Sequence, residues 1–439
     1  LPVSSQYTYL CDEDDFYIPS PSRGICTACP TGAVCQGTPA VMAKDGWYAV
    51  RAPTEFQKCL NPDACQNRTL AQACTHPYHG PLCSMCLQGY GINDDFQCVK
   101  CGSHRAEIAV LCAFVASALL ISGGLVAYTI YSAEKAGDSY KSGKNKPIFV
   151  ALTIISMLQS MAFFKGFDYS WPSSIRGMFD TSQTASGGGL GLVNMQCVAS
   201  GVFGGSSYIY TEALLLMLLG PLCLAVFVTA LLILQWVRSG NLQRRIYICV
   251  VYVVFLFQPT VVKGILKVMT CSKVGGTFFV FYEMDIECGS SSHVSWLVAV
   301  LIGFFMYVIL LPGLNFWAQY KDRELIQAED EEKIRLYGFQ VTAFVPDCYY
   351  WQACIMSRKV ALTALITLSR PMGIVIQSQL ALLVSMVALV FQVRCRPYRE
   401  PIMNRLETIS IVTFSVTAWL GVLMSQNNTG VEFKQLMSV

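Results

Sequence analysis

Three carboxylates, Glu283, Asp285 and Glu287, alternate along an eleven-residue stretch that runs Thr277 to Glu287 and is rich in aromatic and branched residues. In a strand, side chains two apart share a face, so the three would project together. That spacing suits concentrating cations or holding a calcium ion. A solvated acidic edge on a closed loop explains the same residues without a ligand. A second set with chemical potential is ionisable residues inside apolar segments: Glu212, Lys263, Lys267, Arg358 and Lys359. A charge in hydrocarbon costs several kcal/mol, so such residues either pair, snorkel to an interface or serve a function. Lys263 and Lys267 lie one turn apart and are within reach of Glu212 or of the acidic stretch. For Arg358 and Lys359 the plainest expectation is anchoring at a membrane face. Gln159, Gln258, Gln377 and Gln379 are further polar candidates for a helix-bundle interior.

Cysteine supplies the third chemistry. Eleven cysteines fall within the first 101 residues: Cys11, Cys26, Cys29, Cys35, Cys59, Cys65, Cys74, Cys83, Cys86, Cys98 and Cys101. They sit among Gly, Pro, Asn and Asp, with no apolar run long enough to build a core, so disulfides would staple this module. The CxxC spacings (Cys26/Cys29, Cys83/Cys86, Cys98/Cys101) also fit zinc, and His76 and His79 lie beside Cys74 and Cys83. Fusion to a membrane domain and the sequon Asn67-Arg68-Thr69 favour the oxidised reading. No nucleophile–base constellation occurs, so an enzyme is not expected. Ser186-Gly187-Gly188-Gly189-Leu190-Gly191 lacks a following lysine and reads as a loop, not a phosphate cradle.

The elements that position these groups are membrane-length. Hydrophobic residues make up 54% of the 439, charged residues 13%, and the mean hydropathy is +0.46, against roughly 25% charged in a soluble domain. A net charge of +3 without a Lys/Arg run excludes nucleic acid as the evident partner. Eight segments have about the 20 residues a bilayer crossing needs: 106–132, 147–166, 208–237, 246–269, 293–318, 352–369, 372–393 and 406–425. Pro221, Pro259 and Pro312 interrupt three of them, and Arg370-Pro371 joins the sixth to the seventh. The expected fold is a mainly α polytopic membrane protein. A disulfide-rich module covers 1–104, a helical domain 105–425, and an outer tail 426–439.

Basic residues set the orientation. The loops at 133–146, 238–245, 319–351 and 394–405 carry most of the Lys and Arg, which places the N-terminal module outside. Trp171 and Trp296 then fall at the outer boundary, and Trp236, Trp317 and Trp351 at the inner one. Asn427-Asn428-Thr429 becomes a second outer sequon. In this topology only Cys197, Cys271 and Cys288 join the eleven on the oxidising side, making fourteen, a number that pairs completely. We expect Cys271–Cys288 as a local bridge and Cys197 tied to the module. The expected setting is a plasma or other surface membrane, with the bilayer, an extracellular protein or further ectodomain, and further copies of the chain as partners. The start at Leu1 without a leader suggests a piece of a longer protein.

Two stretches add a resemblance. Gly80-Pro81-Leu82-Cys83-Ser84-Met85-Cys86-Leu87-Gln88-Gly89-Tyr90-Gly91, with Cys98 and Cys101, resembles EGF-like, GPLCxxCxxGY-type modules of microbial surface proteins. The order Tyr349-Tyr350-Trp351, Arg358-Lys359, Arg396-Pro397-Tyr398 and Asn404-Arg405-Leu406-Glu407 resembles the transient receptor potential-like membrane domains that follow such modules. Gln352 stands where that pattern has an acidic residue. Cys271 with Cys288 and His293 matches the outer-loop pattern. The resemblance implies a core of about nine helices and a cation channel. The residue reading keeps an alternative beside it: a non-conducting anchor holding an extracellular assembly. A seven-helix receptor fits poorly, because Asp322-Arg323 follows the fifth span.

Overall fold

The computed structural model describes residues 15–18, 25–35, 41–52, 54–66, 74–93, 95–135, 154, 156–161, 163–167, 177–179, 181–182, 194–202, 207–235 and 241–426. Cys11, both sequon asparagines (Asn67 and Asn427), Trp171, Trp236 and the glycine run 186–191 lie outside them, as do residues 147–153, 155 and 162 of the segment 147–166. The chain divides into two compact units. One comprises Leu1–Glu107, Asn194–Tyr208 and Cys271–Val294; the other comprises Ile108–Val193, Ile209–Thr270 and Ser295–Val439.

The first unit is built from short antiparallel hairpins: Asp15–Ile18 with Ile25–Ala28, Ala33–Val34 with Met42–Ala43, Trp47–Arg51 with Glu55–Lys58, Tyr78–His79 with Met85–Cys86, and Tyr90–Ile92 with Cys98–Lys100. Two- to five-residue strands bury little, and the buried clusters are correspondingly small. One is Cys35, Val41 and Phe56; the other is Cys59, Ala64, Cys65 and Cys83. Four of those seven residues are cysteines, so the staples are also the core.

A three-stranded sheet, Cys271–Val274, Thr277–Val280 and Glu283–Glu287, completes this unit. Gly275 and Gly276, with φ of +61° and +102°, form the two-residue turn between its first strands, a geometry that needs positive φ at both positions. The single strand expected over 277–287 is therefore two strands. Phe281 and Tyr282 are both buried, at 4% and 8% exposure. A straight strand can bury only alternate residues, so the chain turns where two successive rings go inside.

The second unit is helical. Its long helices are α1 (His104–Lys135), α2 (Tyr208–Gln235), α3 (Leu242–Met269), α4 (Ser291–Lys321), α5 (Trp351–Leu368), α6 (Ile374–Cys395) and α7 (Pro401–Gln426); α1, α2 and α4 start within the first unit. Six of these, all but α5, contain a stretch long and apolar enough to cross a membrane. Eight spans are thus not all present among the described residues. Segment 352–369 forms the 18-residue helix α5, but Gln352, Arg358 and Lys359 keep it out of the apolar class. Within its apolar window α3 is 72% buried, whereas α1 is 6% and α4 11% buried. α3 is the most buried of the six membrane-length helices.

Prolines act differently from place to place. α2 runs through Pro221 and α3 through Pro259 without interruption. In α4 a π-helical turn, Phe305–Leu310, precedes Pro312. The loop expected at 319–351 is largely helical: Arg323–Gln327, Glu331–Tyr337, Phe339–Thr342 and a 3-10 turn at Pro346–Cys348. Its polar composition hides apolar positions that pack into a core of Ile326, Tyr337, Val341 and Tyr349.

Candidate functional site

Disulfides first, because they fix the acidic sheet. The bridges are Cys29–Cys35, Cys59–Cys65, Cys74–Cys83, Cys86–Cys98, Cys101–Cys197 and Cys271–Cys288, and Cys26 is also bonded. Each CxxC pair is split between different bridges, so none of these spacings holds a metal in this oxidised state. Cys271–Cys288, the expected local bridge, closes the sheet, and Cys197, expected to be tied to the module, pairs with Cys101 and so joins residues 194–202 to it. Two hydrogen bonds reinforce the second: Ile92 N donates to Gln196 Oε1 (2.8 Å), and Asn194 Nδ2 to Ile92 O (3.2 Å). Gly91 lies against this joint. A Cβ there would sit 2.2 Å from Asn194 Oδ1 and 2.6 Å from Cys197 Sγ.

Glu283, Asp285 and Glu287 share one strand face, opposite the buried Met284. Glu283 accepts a 2.5 Å hydrogen bond from Ser207 Oγ, while Asp285 and Glu287 are exposed. Among the described residues, the groups of three metal-ligating atoms within 4.8 Å of one another are Cys59/Cys65/Cys83 and Cys271/Cys288/His293. The three carboxylates do not form such a group. The sheet tip is fixed by Phe96, which meets Phe281 edge-on at 5.6 Å and stacks on Tyr282 at 6.3 Å, and by Tyr208, whose hydroxyl donates to the Tyr282 carbonyl. His79 Nε2 lies 3.1 Å from Cys86 O, and His76 packs edge-on against Tyr90 at 5.9 Å.

The ionisable residues of the helical unit are drawn into specific pairs. Lys267 Nζ lies 2.8 and 3.1 Å from the two oxygens of Glu212. Lys263, one turn earlier, is half-buried. Arg358 donates to Glu407 at 2.5 Å, with the Glu407 side chain 3% exposed. Lys359, 1% exposed, donates to Gln159 Oε1 at 2.7 Å and lies 4.9 Å over the Phe255 ring. The anchoring role expected for Arg358 and Lys359 is therefore corrected. Both point into protein, because α5 packs against α3 and α6 rather than ending at a lipid surface. Trp351, expected at an interface, is likewise buried in a core with Phe344, Ile355, Tyr398 and Met403.

These pairs also explain the second motif cluster. Asn404 clamps Tyr398 twice: Nδ2 donates to the Tyr398 carbonyl (2.7 Å), and Oδ1 accepts from the Tyr398 N–H (3.2 Å). The Tyr398 ring packs tilted against Phe344, with centroids 5.0 Å apart, next to Trp351. One turn beyond Asn404, Glu407 meets Arg358. The motif residues are thus neighbours in one polar and aromatic clamp joining α5, α6 and α7. Glu407 carried no signal of its own in the sequence beyond that motif, since its partner is 49 residues away.

The partners of Asp322 escaped the sequence reading. Asp322 accepts from Lys333 Nζ and from the Tyr337 hydroxyl, both at 2.8 Å. The lysine bond holds the Asp322 carboxyl below the usual carboxylate range. Burial, and then that same carboxylate, push the Tyr337 hydroxyl up. Burial likewise raises the Tyr398 hydroxyl.

In comparison with known proteins, the chain matches no family model, no curated protein and no solved structure. Its description therefore rests on its own residues: a disulfide-rich N-terminal region and, among the described residues, six helices long and apolar enough to cross a membrane.

Proposed function

We propose that this is a multi-pass surface-membrane protein of channel type, passing cations and coupled to its disulfide module. The supporting observation is how the first compact unit is assembled. It takes in the N-terminal module and two stretches, 194–208 and 271–294, that connect helices. Only two residues separate Cys101 from the start of α1 and Cys288 from the start of α4, and one separates Met269, the end of α3, from Cys271. A force or ligand acting on the stapled unit would reach several helices through covalent chain, which a simple tether does not require. The orientation follows from the basic loops, with the oxidised cysteines outside. In this reading Asp285 and Glu287, exposed on the sheet, concentrate cations at the outer face. The EGF-like and transient receptor potential-like resemblance points the same way.

A second reading, a non-conducting anchor for an extracellular assembly, is favoured by one observation. Glu212, Lys267, Arg358 and Lys359 are all occupied within the helical unit, which suits a closed bundle. Single-channel recording of the purified protein in planar bilayers separates the two. Cation-selective openings that vanish on reduction of the disulfides support the channel. In that case Asp285→Ala with Glu287→Ala lowers cation conductance severalfold. A silent bilayer, with insertion verified by protease protection, overturns the channel and leaves the anchor.

A further inference from the structure

Three side chains of metal-ligand type converge in the first compact unit. The Sγ atoms of Cys271 and Cys288 and a ring nitrogen of His293 all lie within 4.8 Å of one another. Local structure explains why they meet. Cys271 opens the first strand of the three-stranded sheet and pairs with Val280 across the hairpin. Cys288 follows the third strand, and its N–H donates to the Phe278 carbonyl at 2.8 Å, which holds it against the middle strand. His293 stands on the first turn of α4, where Ser290 is the cap. The Ser290 carbonyl accepts from the Val294 N–H (2.9 Å), and its hydroxyl oxygen accepts from the His293 N–H (3.3 Å). Each backbone is thus held by hydrogen bonds that do not involve sulfur, so the three groups stay together when the Cys271–Cys288 bridge opens.

His293 differs from the other histidines. His76 and His104 are exposed and His79 is half-buried, whereas His293 is 1% exposed. While the bridge stands, the ring is a core residue beside a disulfide. Once it opens, two thiolates and an imidazole form the donor set that a borderline-soft divalent cation prefers. The geometry asks for little movement. Zinc–sulfur bonds of about 2.3 Å in a tetrahedral site put two thiolates roughly 3.7 Å apart. The two Cα atoms, 6.4 Å apart, allow that by rotation of the side chains. Both cysteines are half-buried, so a small reductant and a hydrated ion have access from one side. The other sulfur cluster, Cys59/Cys65/Cys83, is less suited. Its sulfurs belong to two bridges, Cys59–Cys65 and Cys74–Cys83, and both would have to open.

We propose that Cys271, Cys288 and His293 form a redox-dependent site for a zinc-class divalent cation, closed by the disulfide and opened by a dithiol reductant. The dithiol delivers two electrons and two protons and leaves as its own disulfide, which yields two cysteine thiols. The cation displaces both protons and binds the thiolates and the imidazole. Three protein ligands leave the fourth position to water. The metal then replaces the disulfide as the cross-link between the segment after α3 and the segment before α4, whether or not the protein conducts ions.

The test uses the full chain in phosphatidylcholine nanodiscs, reduced with dithiothreitol and freed of it without oxygen. Alkylation by iodoacetamide, with and without zinc, is followed at each cysteine by mass spectrometry. Zinc is expected to slow alkylation of Cys271 and Cys288 by about tenfold or more, and a chelator to restore it. His293→Ala should remove most of that protection, since a lost ligand costs no less than the roughly tenfold of a lost outer-shell partner. The same variant should leave the effect of zinc on Cys59, Cys65 and Cys83 unchanged, which separates this site from the other thiols that reduction exposes. Because loss of a buried ring can also weaken the fold, Cys288→Ser is a second variant, in which alkylation of Cys271 should no longer respond to zinc. Alkylation that zinc does not slow, protection that is as strong in both variants as in the wild type, or a bridge that dithiothreitol leaves closed, overturns the proposal.

Discussion

In the disulfide unit the interior is made of cysteines, a few aromatics and short hairpins, with Asn61, Ser84 and His293 the buried polar residues among those described. The helical unit is the reverse. Leu120, Ile233, Leu383 and Val390 are more than 60% exposed, while Gln159, Gln258, Lys359, Gln377, Gln392 and Glu407 are all at most 6% exposed. The contrast follows from the solvent each unit meets. Beside water, burying apolar surface drives folding, but a unit with strands this short has little to bury and depends on covalent cross-links. In lipid, apolar surface gains nothing by turning inward, and helices are held by packing and by polar groups that must find partners inside. One unit should therefore fail when its bridges are reduced, the other when a buried polar partner is deleted.

The largest effect is expected from the clamp. Glu407→Ala leaves the half-buried Arg358 unpaired; breaking a buried pair costs about 3–5 kcal/mol in protein interiors. Thermal unfolding in detergent should show a large fall, while Glu407→Leu combined with Arg358→Leu should recover most of it. If the double variant is as unstable as the single, the pair is not what holds α5 to α7.

Removing the Cys101–Cys197 bridge comes next, at about 2–4 kcal/mol. Cys197→Ser, made together with Cys101→Ser, should raise the protease sensitivity of the module and leave helical circular dichroism unchanged. Gly91→Ala should act on the same joint, because the added methyl meets Asn194 and Cys197. Loss of helical signal in either variant would mean that the two units do not differ in what holds them.

The smallest effect is electrostatic. Asp322 has a carboxyl held low in the folded protein by Lys333. Its contribution is therefore present above the ordinary carboxylate range and disappears as pH falls through the depressed folded value. Asp322→Asn should lower stability by about 1 kcal/mol at neutral pH and by much less under acid, where the wild-type carboxyl is protonated. A destabilisation that is independent of pH would remove the charge from the explanation.

Much of the architecture was legible in the residues. Apolar length and sparse charge announced membrane helices, the crowding of cysteines announced a stapled module, and parity pointed Cys197 toward it and Cys271 toward Cys288. These are local or counting properties, which a linear sequence carries without loss. The clamp was only half legible. Its residues stood out in a motif, yet Arg358 and Lys359 looked like anchors because nothing local names a partner 49 or 200 positions away. The hairpin at Phe281-Tyr282 and the helices of 323–342 were also hidden, since burial of consecutive rings and of a few apolar positions in a polar loop is decided by what packs against them.

Composition and periodicity by themselves determined that this chain crosses a membrane and carries an oxidised module, because bilayer thickness and thiol chemistry act on segments. Only the tertiary structure decided which polar groups meet: Lys267 with Glu212, Arg358 with Glu407, Lys359 with Gln159. It also decided that the buried Gln258 amide nitrogen donates across to the Tyr307 carbonyl on the neighbouring helix. Partner choice depends on geometry across helices, where a shift of one residue in register turns a paired charge into an unpaired one.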